Sequence, residues 1–405
     1  MERKEFLKTI WKSYPAAPAD ARALGRLVQI SSTANSTQLE IWREGHIQSF
    51  SLSQKTKLDA VLLPGDLVAI LKDEEILLLA PGTGSFSETQ TFPQARLKSF
   101  SHFLNGIRTF FDTQDFVEVK TPQLVKCPGT EPSLDVFSTE LKIGSRKEKL
   151  FLPTSPELHL KKALAQGAEK IYELAWCYRN GELTERHQPE FLMLEWYRAF
   201  DNLETIKNDV TALVQNMAAK FNCPPPKKVY SKSISELFQE YCGFELKPDT
   251  TAEELKFLAE KLKVDVRSAE TIDDYFFLIF MEKIEFKLPE EDLIFVEKYP
   301  PYQAALARLT SDGWGDRFEV YWKGMELANA FHELNDPAIQ RLRSLEDLEK
   351  KSLMGKENVT LDEDFFAALE SGMPPSGGIA LGVERLYMAL TGVEKISALR
   401  LFPLS

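Results

Sequence analysis

Five short stretches near the start of the chain, 25–31, 37–43, 46–52, 66–72 and 75–80, are apolar-bearing runs separated by polar and turn residues. This pattern predicts β-strands. Gly45 marks the second turn, and Pro64-Gly65 precedes the fourth strand. A short helix is expected over 54–62, between strands three and four, and another within 1–20 before a Pro/Ala linker. After a polar linker, 81–95, the pattern changes. Leu97, Phe100, Phe103, Leu104, Ile107, Phe110 and Phe111 recur at helical spacing over 96–112. A strand follows at 116–119, ending at Thr121-Pro122. A helix over 158–165 is opened by Thr154-Ser155-Pro156-Glu157, where Ser155 or Thr154 can cap it. Period two appears over 171–176 and 191–197. In the second of these, Phe191, Met193, Glu195 and Tyr197 share one face, and Leu192, Leu194 and Trp196 the other.

Downstream, 201–290 is mostly helical, with helices expected at 231–240, 251–263 and 271–286. This insertion carries no evident chemistry and is expected to cover the site or meet a partner. Strands are expected at 293–296 and 303–307, then an amphipathic helical stretch over 338–370. A glycine-bearing strand runs into a helix over 374–390, with Arg385 in its first turn. Five strands with a helix after the third match the order of an OB barrel. The chain therefore divides into an OB-like N-terminal domain with linker, 1–95, and a larger α+β domain, 96–405.

The chain has 405 residues, 43% of them hydrophobic, which suits a soluble protein with ample core. No run of about 18 apolar residues is present, so no membrane span is expected. The charged N-terminus lacks the apolar centre of a signal peptide. Cys127, Cys177, Cys223 and Cys242 have no metal-type spacing and read as free thiols in a reducing cytoplasm. A net charge of −12 argues against broad coating of nucleic acid.

Two clusters carry candidate chemistry. The first is 171–200, two strands joined by a loop holding Arg179, Gly181, Glu182, Arg186 and His187. An arginine fork can clamp a phosphate, an aromatic ring can stack on a base, and a buried carboxylate can hold an ammonium. The second is 317–335, with Glu319, Glu326, Asn329 and Glu333. Two carboxylates converging across a strand turn can bind Mg2+ beside substrate phosphates, and Asn329 with Glu333 can complete an amine pocket. A charged hairpin and a charged strand face would show the same spacings.

Together these stretches resemble the catalytic domain of class II aminoacyl-tRNA synthetases, an antiparallel sheet flanked by helices, over roughly 96–405. Residues 111–122 look like motif 1, which builds the dimer in that family. Tyr178-Arg179-Asn180 through Phe191 and Glu195 look like motif 2, and Gly378 to Arg385 like motif 3. The string 325–336, MELANAFHELND, is similar to the lysyl branch. Ser155 in TSPE, Trp196 in LEWY and Ala380 in ALGVER resemble the paralogues that attach (R)-β-lysine to elongation factor P. Two features depart from that pattern: Gly181 stands where motif 2 usually has Glu, and residues 22–80 form a domain those short paralogues lack.

The resemblance implies an ATP-dependent ligase. It activates lysine or (R)-β-lysine as an adenylate and transfers it to a lysine of elongation factor P. It also implies that Arg179 bridges the α-phosphate and the amino-acid carboxylate, that Arg186 and His187 face the outer phosphates, and that Phe191 and Arg385 sandwich adenine. Glu319 and Glu326 would hold Mg2+. Ser155, Glu157, Glu195, Tyr197, Asn329, Glu333 and Ala380 would bind the amino acid. The enzyme is expected to be a cytoplasmic homodimer with no membrane partner. A compact tRNA-charging lysyl enzyme, with tRNA the less favoured acceptor, and an inactive binding protein on the same fold are the alternatives.

Overall fold

A computed structural model describes residues 3–4, 21–53, 61–82, 84–86, 94–267, 269–304 and 306–403. The chain forms two compact units, Met1–His102 and Phe103–Ser405. The helix expected at 54–62, most of the one within 1–20 and much of the 81–95 linker lie outside the described residues.

In the first unit, β1 (Ala23–Ser32), β2 (Thr37–Arg43), β3 (His46–Leu52), β4 (Leu67–Ile70) and β5 (Ile76–Ala80) form one sheet in the order β3-β2-β1-β4-β5. All four pairings are antiparallel. Alternation puts Leu27, Leu39, Ile41, Val68, Ile70, Ile76 and Leu78 on the buried face. Arg43 pairs with His46 across Glu44-Gly45, both at positive φ (52° and 89°), the two-residue turn that matches strand twist. The strand order is OB-like. Where the sequence predicts a closed barrel, however, the sheet is open among the described residues, because no β3–β5 pairing completes it.

The second unit is built on an eight-stranded sheet. Its strands are β6 (Val117–Glu118), β9 (Lys170–Tyr178), β10 (Glu190–Ala199), β11 (Val229–Ser233), β12 (Leu293–Tyr299), β13 (Gly315–Trp322), β14 (Met325–His332) and β15 (Ser376–Gly382). Their order is β11-β12-β13-β14-β15-β10-β9-β6, antiparallel except at the two edge pairs. A separate hairpin joins β7 (Ser138–Ile143) and β8 (Arg146–Phe151). The helices are α1 (Gln94–Asp112), which begins in the first unit and ends in the second, α2 (Glu157–Ala165), α3 (Leu203–Lys220), α4 (Ile234–Cys242), α5 (Ala252–Lys261), α6 (Ile272–Lys283), α7 (Pro337–Leu353), α8 (Glu363–Glu370) and α9 (Val383–Thr391). Phe103, Ile107 and Phe111 of α1 are fully buried, and Phe111 stacks on Tyr172 of β9 at 4.6 Å.

Local chemistry explains where elements differ from expectation. Of the strand expected over 303–307, Gln303 closes a 3-10 turn, Pro301–Gln303, and Ala307 makes only an isolated antiparallel bridge to Glu333. Residues 231–233, expected to open a helix, belong to β11; the helix begins later because Ser233 and Glu236 form a reciprocal cap. At α2 neither expected cap holds. Pro156 is the N-cap, Thr154 Oγ1 donates to Pro128 O at 2.7 Å, and Ser155 Oγ accepts from Glu157 N at 3.3 Å. Helices α4–α6 of the insertion share a core with β12 and β13, and so lie against the sheet.

Candidate active site

One cavity of about 340 Å³ gathers side chains from both chemical clusters. Its floor is the centre of the large sheet. Ala380 on β15 lies opposite Glu195 on β10 and Asn329 on β14, so the three project to one side. Phe191, Met193, Glu195 and Tyr197 line it together, as the alternation along β10 requires. Gly378 pairs with Tyr197 and Phe331; a Cβ there would fall 2.1 Å from Glu333 Oε1 and 2.3 Å from the Tyr197 ring. Every site residue expected from the sequence borders this cavity: Ser155, Glu157, Arg179, Arg186, His187, Phe191, Glu195, Tyr197, Glu319, Glu326, Asn329, Glu333, Ala380 and Arg385.

Its acidic end is built from α2, β10 and the residue after β14. Glu195 is buried, and its Oε2 accepts from Tyr197 OH at 3.0 Å while Oε1 has no partner. Burial, then Glu157, pushes its carboxyl well above the usual range. Glu333 is buried too: Oε2 lies 2.6 Å from Lys161 Nζ, off the line of a good hydrogen bond, and Oε1 has no partner. Burial raises the Glu333 carboxyl to about 8, with Glu157 adding to the rise and Lys161 opposing it. Lys161 also reaches Glu157 Oε1 at 2.6 Å. Burial works against its charge, but the two glutamates outweigh burial and hold it above the ordinary lysine range. Glu131 borders the same cavity and is also raised, first by burial.

At the other end, Arg179 follows β9 and lies over the Phe191 ring, 5.1 Å from its centroid. Its Nε is buried without an acceptor, and Glu182 stands 3.9 Å from its terminal nitrogen. The loop between β9 and β10 turns at Gly181, φ 79°, with open space around it. Arg186 donates to Gly324 O at 3.2 Å. His187 Nε2 lies 2.7 Å from an Arg385 nitrogen, which can only donate; the imidazole proton therefore sits on Nδ1, facing Thr184 Oγ1 at 2.9 Å. Burial, then Arg385, lowers the His187 pKa and keeps it neutral. Arg385 also donates to Glu326 O at 2.9 Å and meets its carboxylate at 3.4 Å. The helix carrying Arg385 is fastened by Glu384, which accepts from Leu192 N at 3.0 Å and from Arg400 at 2.8 Å.

Arg317 of β13 is a hub the sequence left without a role. Its Nε donates to Asn329 Oδ1 at 2.9 Å, a second nitrogen donates to Gln303 O, and the third pairs with Glu319. Because the guanidinium can only donate, Asn329 offers the cavity its Nδ2, a donor suited to an oxygen rather than an ammonium. Glu319 Oε2 accepts from Tyr299 OH at 2.7 Å and Tyr321 OH at 2.8 Å. Glu326 is raised by its confinement and by repulsion from Glu319. Among the described residues no group of three or more His, Cys, Asp or Glu is arranged to hold a metal alone. A carboxylate pair whose mutual repulsion a cation would relieve still fits Mg2+, which takes few protein ligands when phosphates supply the rest.

Sequence reasoning missed Lys161, Glu131 and Arg317. Only Lys161 left a signal, its four-residue spacing from Glu157.

The model of class II tRNA synthetases (D, K and N) matches residues 88–405. An elongation factor P–(R)-β-lysine ligase of Haemophilus influenzae (strain PittGG) is 38% identical over 314 residues, spanning 75% of this chain and 94% of that protein. Ligases of the same name from Proteus mirabilis and Pasteurella multocida are 37% and 36% identical, spanning 76% and 78% of this chain and 95% and 98% of their own.

Proposed function

The chain belongs to the class II tRNA synthetase family (D, K and N), and on that premise we propose that it is an ATP-dependent ligase that activates lysine or (R)-β-lysine and joins it to a lysine side chain of elongation factor P. One observation carries the substrate reading. Within a single cavity, buried Glu195 Oε1 and Glu333 Oε1 have no donor, and buried Arg179 Nε has no acceptor. Buried polar groups are nearly always satisfied. A molecule bearing ammonium groups and a carboxylate is the negative image of these three.

In the first step the amino-acid carboxylate attacks the α-phosphate of ATP, the α–β phosphoanhydride breaks, and pyrophosphate leaves. In the second, the acceptor amine attacks the adenylate carbonyl; an amide forms, and AMP leaves. Such transfers depend on positioning and charge neutralisation. Arg179 bridges the attacking carboxylate and the α-phosphate, and Asn329 Nδ2 donates to an oxygen beside it. Phe191 and Arg385 take the adenine, and Arg186 and His187 face the outer phosphates. Glu157, Glu195 and Glu333 pair the ammonium groups, Tyr197 fixes Glu195, and Ser155 and Ala380 shape the wall and floor. Glu319 and Glu326 would hold Mg2+, which supplies positive charge to the phosphates. The protein acts in the cytoplasm as a homodimer, using the β6 edge, where Val117 is 61% exposed; no described helix is long and apolar enough to cross a membrane.

The test supplies purified protein, ATP and labelled lysine or (R)-β-lysine to elongation factor P and, separately, to tRNA. Label is expected on the protein acceptor; label on tRNA alone would overturn that assignment. Arg179→Ala should lower amino-acid-dependent ATP–pyrophosphate exchange on the order of a hundredfold, since it removes a bidentate contact to developing charge. Exchange near the wild-type rate would remove Arg179 from this role.

A further inference from the structure

One buried charge at the acidic end has no part in the steps above. The Lys161 side chain has no solvent exposure, and its Nζ lies 2.6 Å from an oxygen of Glu157 and 2.6 Å from an oxygen of Glu333. Lysines are almost never fully buried unless paired. The first pair is set by one turn of α2; the second joins that helix to the chain leaving β14. As a result, every carboxylate assigned to an ammonium has one oxygen facing a protein donor. Lys161 hydrogen-bonds one oxygen of Glu157 and forms an ion pair, outside hydrogen-bond geometry, with one of Glu333, and Tyr197 donates to one of Glu195. The second oxygens of Glu195 and Glu333 are buried and unbonded.

We propose that Lys161 is a positioning and specificity-determining residue: an internal ammonium that holds the carboxyl groups of Glu157 and Glu333 side by side and turns the free oxygen of Glu333 toward the bound amino acid. With the ammonium groups of the amino acid in place, Glu157, Glu195, Glu333 and Lys161 carry a formal charge of two negatives, the complement of a substrate with two ammonium groups. Without Lys161, two acids held this close, one of them buried, would share a proton rather than both ionise. A shared proton turns an ion pair with the substrate into a weak contact with a neutral acid. The inference rests on the reading of this cavity as an amino-acid site.

The experiment is ATP–pyrophosphate exchange by the full chain with lysine and with (R)-β-lysine, comparing wild type, Lys161→Met, Lys161→Ala and Lys161→Arg. Lys161→Met should raise KM for the amino acid on the order of tenfold or more, as removal of a buried charge partner does, while KM for ATP stays within about twofold. Lys161→Ala should show the same split and be restored in a saturable way by ethylammonium or propylammonium, which fit the space left by the stem; tetramethylammonium, with no N–H, should not restore it. Lys161→Met, its space filled, should not respond. Lys161→Arg retains the charge and is expected to keep most of the affinity, which covers the case in which the neutral variants fail to fold. A wild-type amino-acid KM in Lys161→Met, equal losses for ATP and amino acid, or no rescue of Lys161→Ala would overturn the proposal. If wild type itself shows no exchange with either amino acid, the reading of the cavity fails instead. The Lys161 assignment is then judged by carboxyl infrared titration: Glu333 should ionise at higher pH in Lys161→Met, and an unchanged titration overturns it.

Discussion

At the scale of single residues the site is an exercise in burying acids. Glu333 has its pKa raised to about 8 in the free protein, burial being the main cause. Below that pH its carboxyl tends to be neutral and pairs poorly with an ammonium. KM for the amino acid should therefore fall as pH rises toward about 8, whereas KM for ATP should not follow it. The same raised value has a stability consequence of opposite sign. An acid whose folded pKa lies above its unfolded one contributes stability at low pH that is lost as pH rises through the folded value. The substrate-free protein should lose thermal stability between about pH 4.5 and 8, and saturating amino acid should flatten that loss. A Tm that rises over this interval without ligand would show that Glu333 is ionised throughout. The acids themselves were legible in the sequence, because carboxylates on the apolar face of a strand stand out. Lys161 was not: a lysine on an amphipathic helix reads as solvated, and only the chain leaving β14 brings the Glu333 that makes its burial tolerable. Nor could the sequence show which end of the Asn329 amide faces the cavity, since Arg317 on the neighbouring strand decides it.

At the scale of elements, the helical insertion packs on the cavity face of the sheet, beside Glu319. Phe276 and Phe280 of α6 pack toward Tyr299 and Tyr321, with ring centroids 6.3 and 6.0 Å apart respectively. Both tyrosine hydroxyls end on Glu319 Oε2. The insertion core thus holds the two donors that orient one of the proposed Mg2+ carboxylates. Asp273 of α6 adds a polar tie by accepting from Gln303, whose carbonyl accepts from Arg317. A lid would show its effect on product release. A buttress should show it on metal dependence. Tyr321→Phe removes one hydrogen bond to a charged group, about 1.5–3 kcal/mol. It should raise the Mg2+ concentration for half-maximal exchange roughly tenfold or more, with a smaller change in KM for the amino acid. Tyr299→Phe should act in the same direction, and an unchanged Mg2+ dependence in both variants would dissociate the insertion from the site. The insertion's helices could be read from period and caps. Its orientation could not, because Tyr299 stands at the far end of β12 and Tyr321 lies on β13, beyond the Pro300-Pro301 turn. Strand β11 escaped for a related reason: five residues of mixed polarity, VYSKS, become a strand only beside β12.

At the scale of the whole molecule, shared core and added unit separate cleanly. The family match begins at residue 88, and every residue bordering the cavity falls between Glu131 and Ile396, inside the second unit. The relatives align over nearly their full length while leaving about a quarter of this chain unmatched. The open five-stranded unit is therefore an addition to a complete activating core. Its strands offer Trp42, Phe50, Arg26 and Arg43 but no concentrated basic face, so its strand order by itself does not make it a tRNA reader. A chain starting at Gln94 should keep amino-acid-dependent ATP–pyrophosphate exchange within about threefold of the full chain, a difference under about 0.7 kcal/mol. The second half-reaction is where any contribution of the added unit belongs, because a macromolecular acceptor offers surface beyond the reacting amine. Transfer to elongation factor P should then fall more than exchange does when residues 1–93 are removed. Equal loss of both reactions, with the shortened chain still folded by circular dichroism, would mean that the added unit supports the activating core itself, and the division of labour drawn from the family match would have to be abandoned.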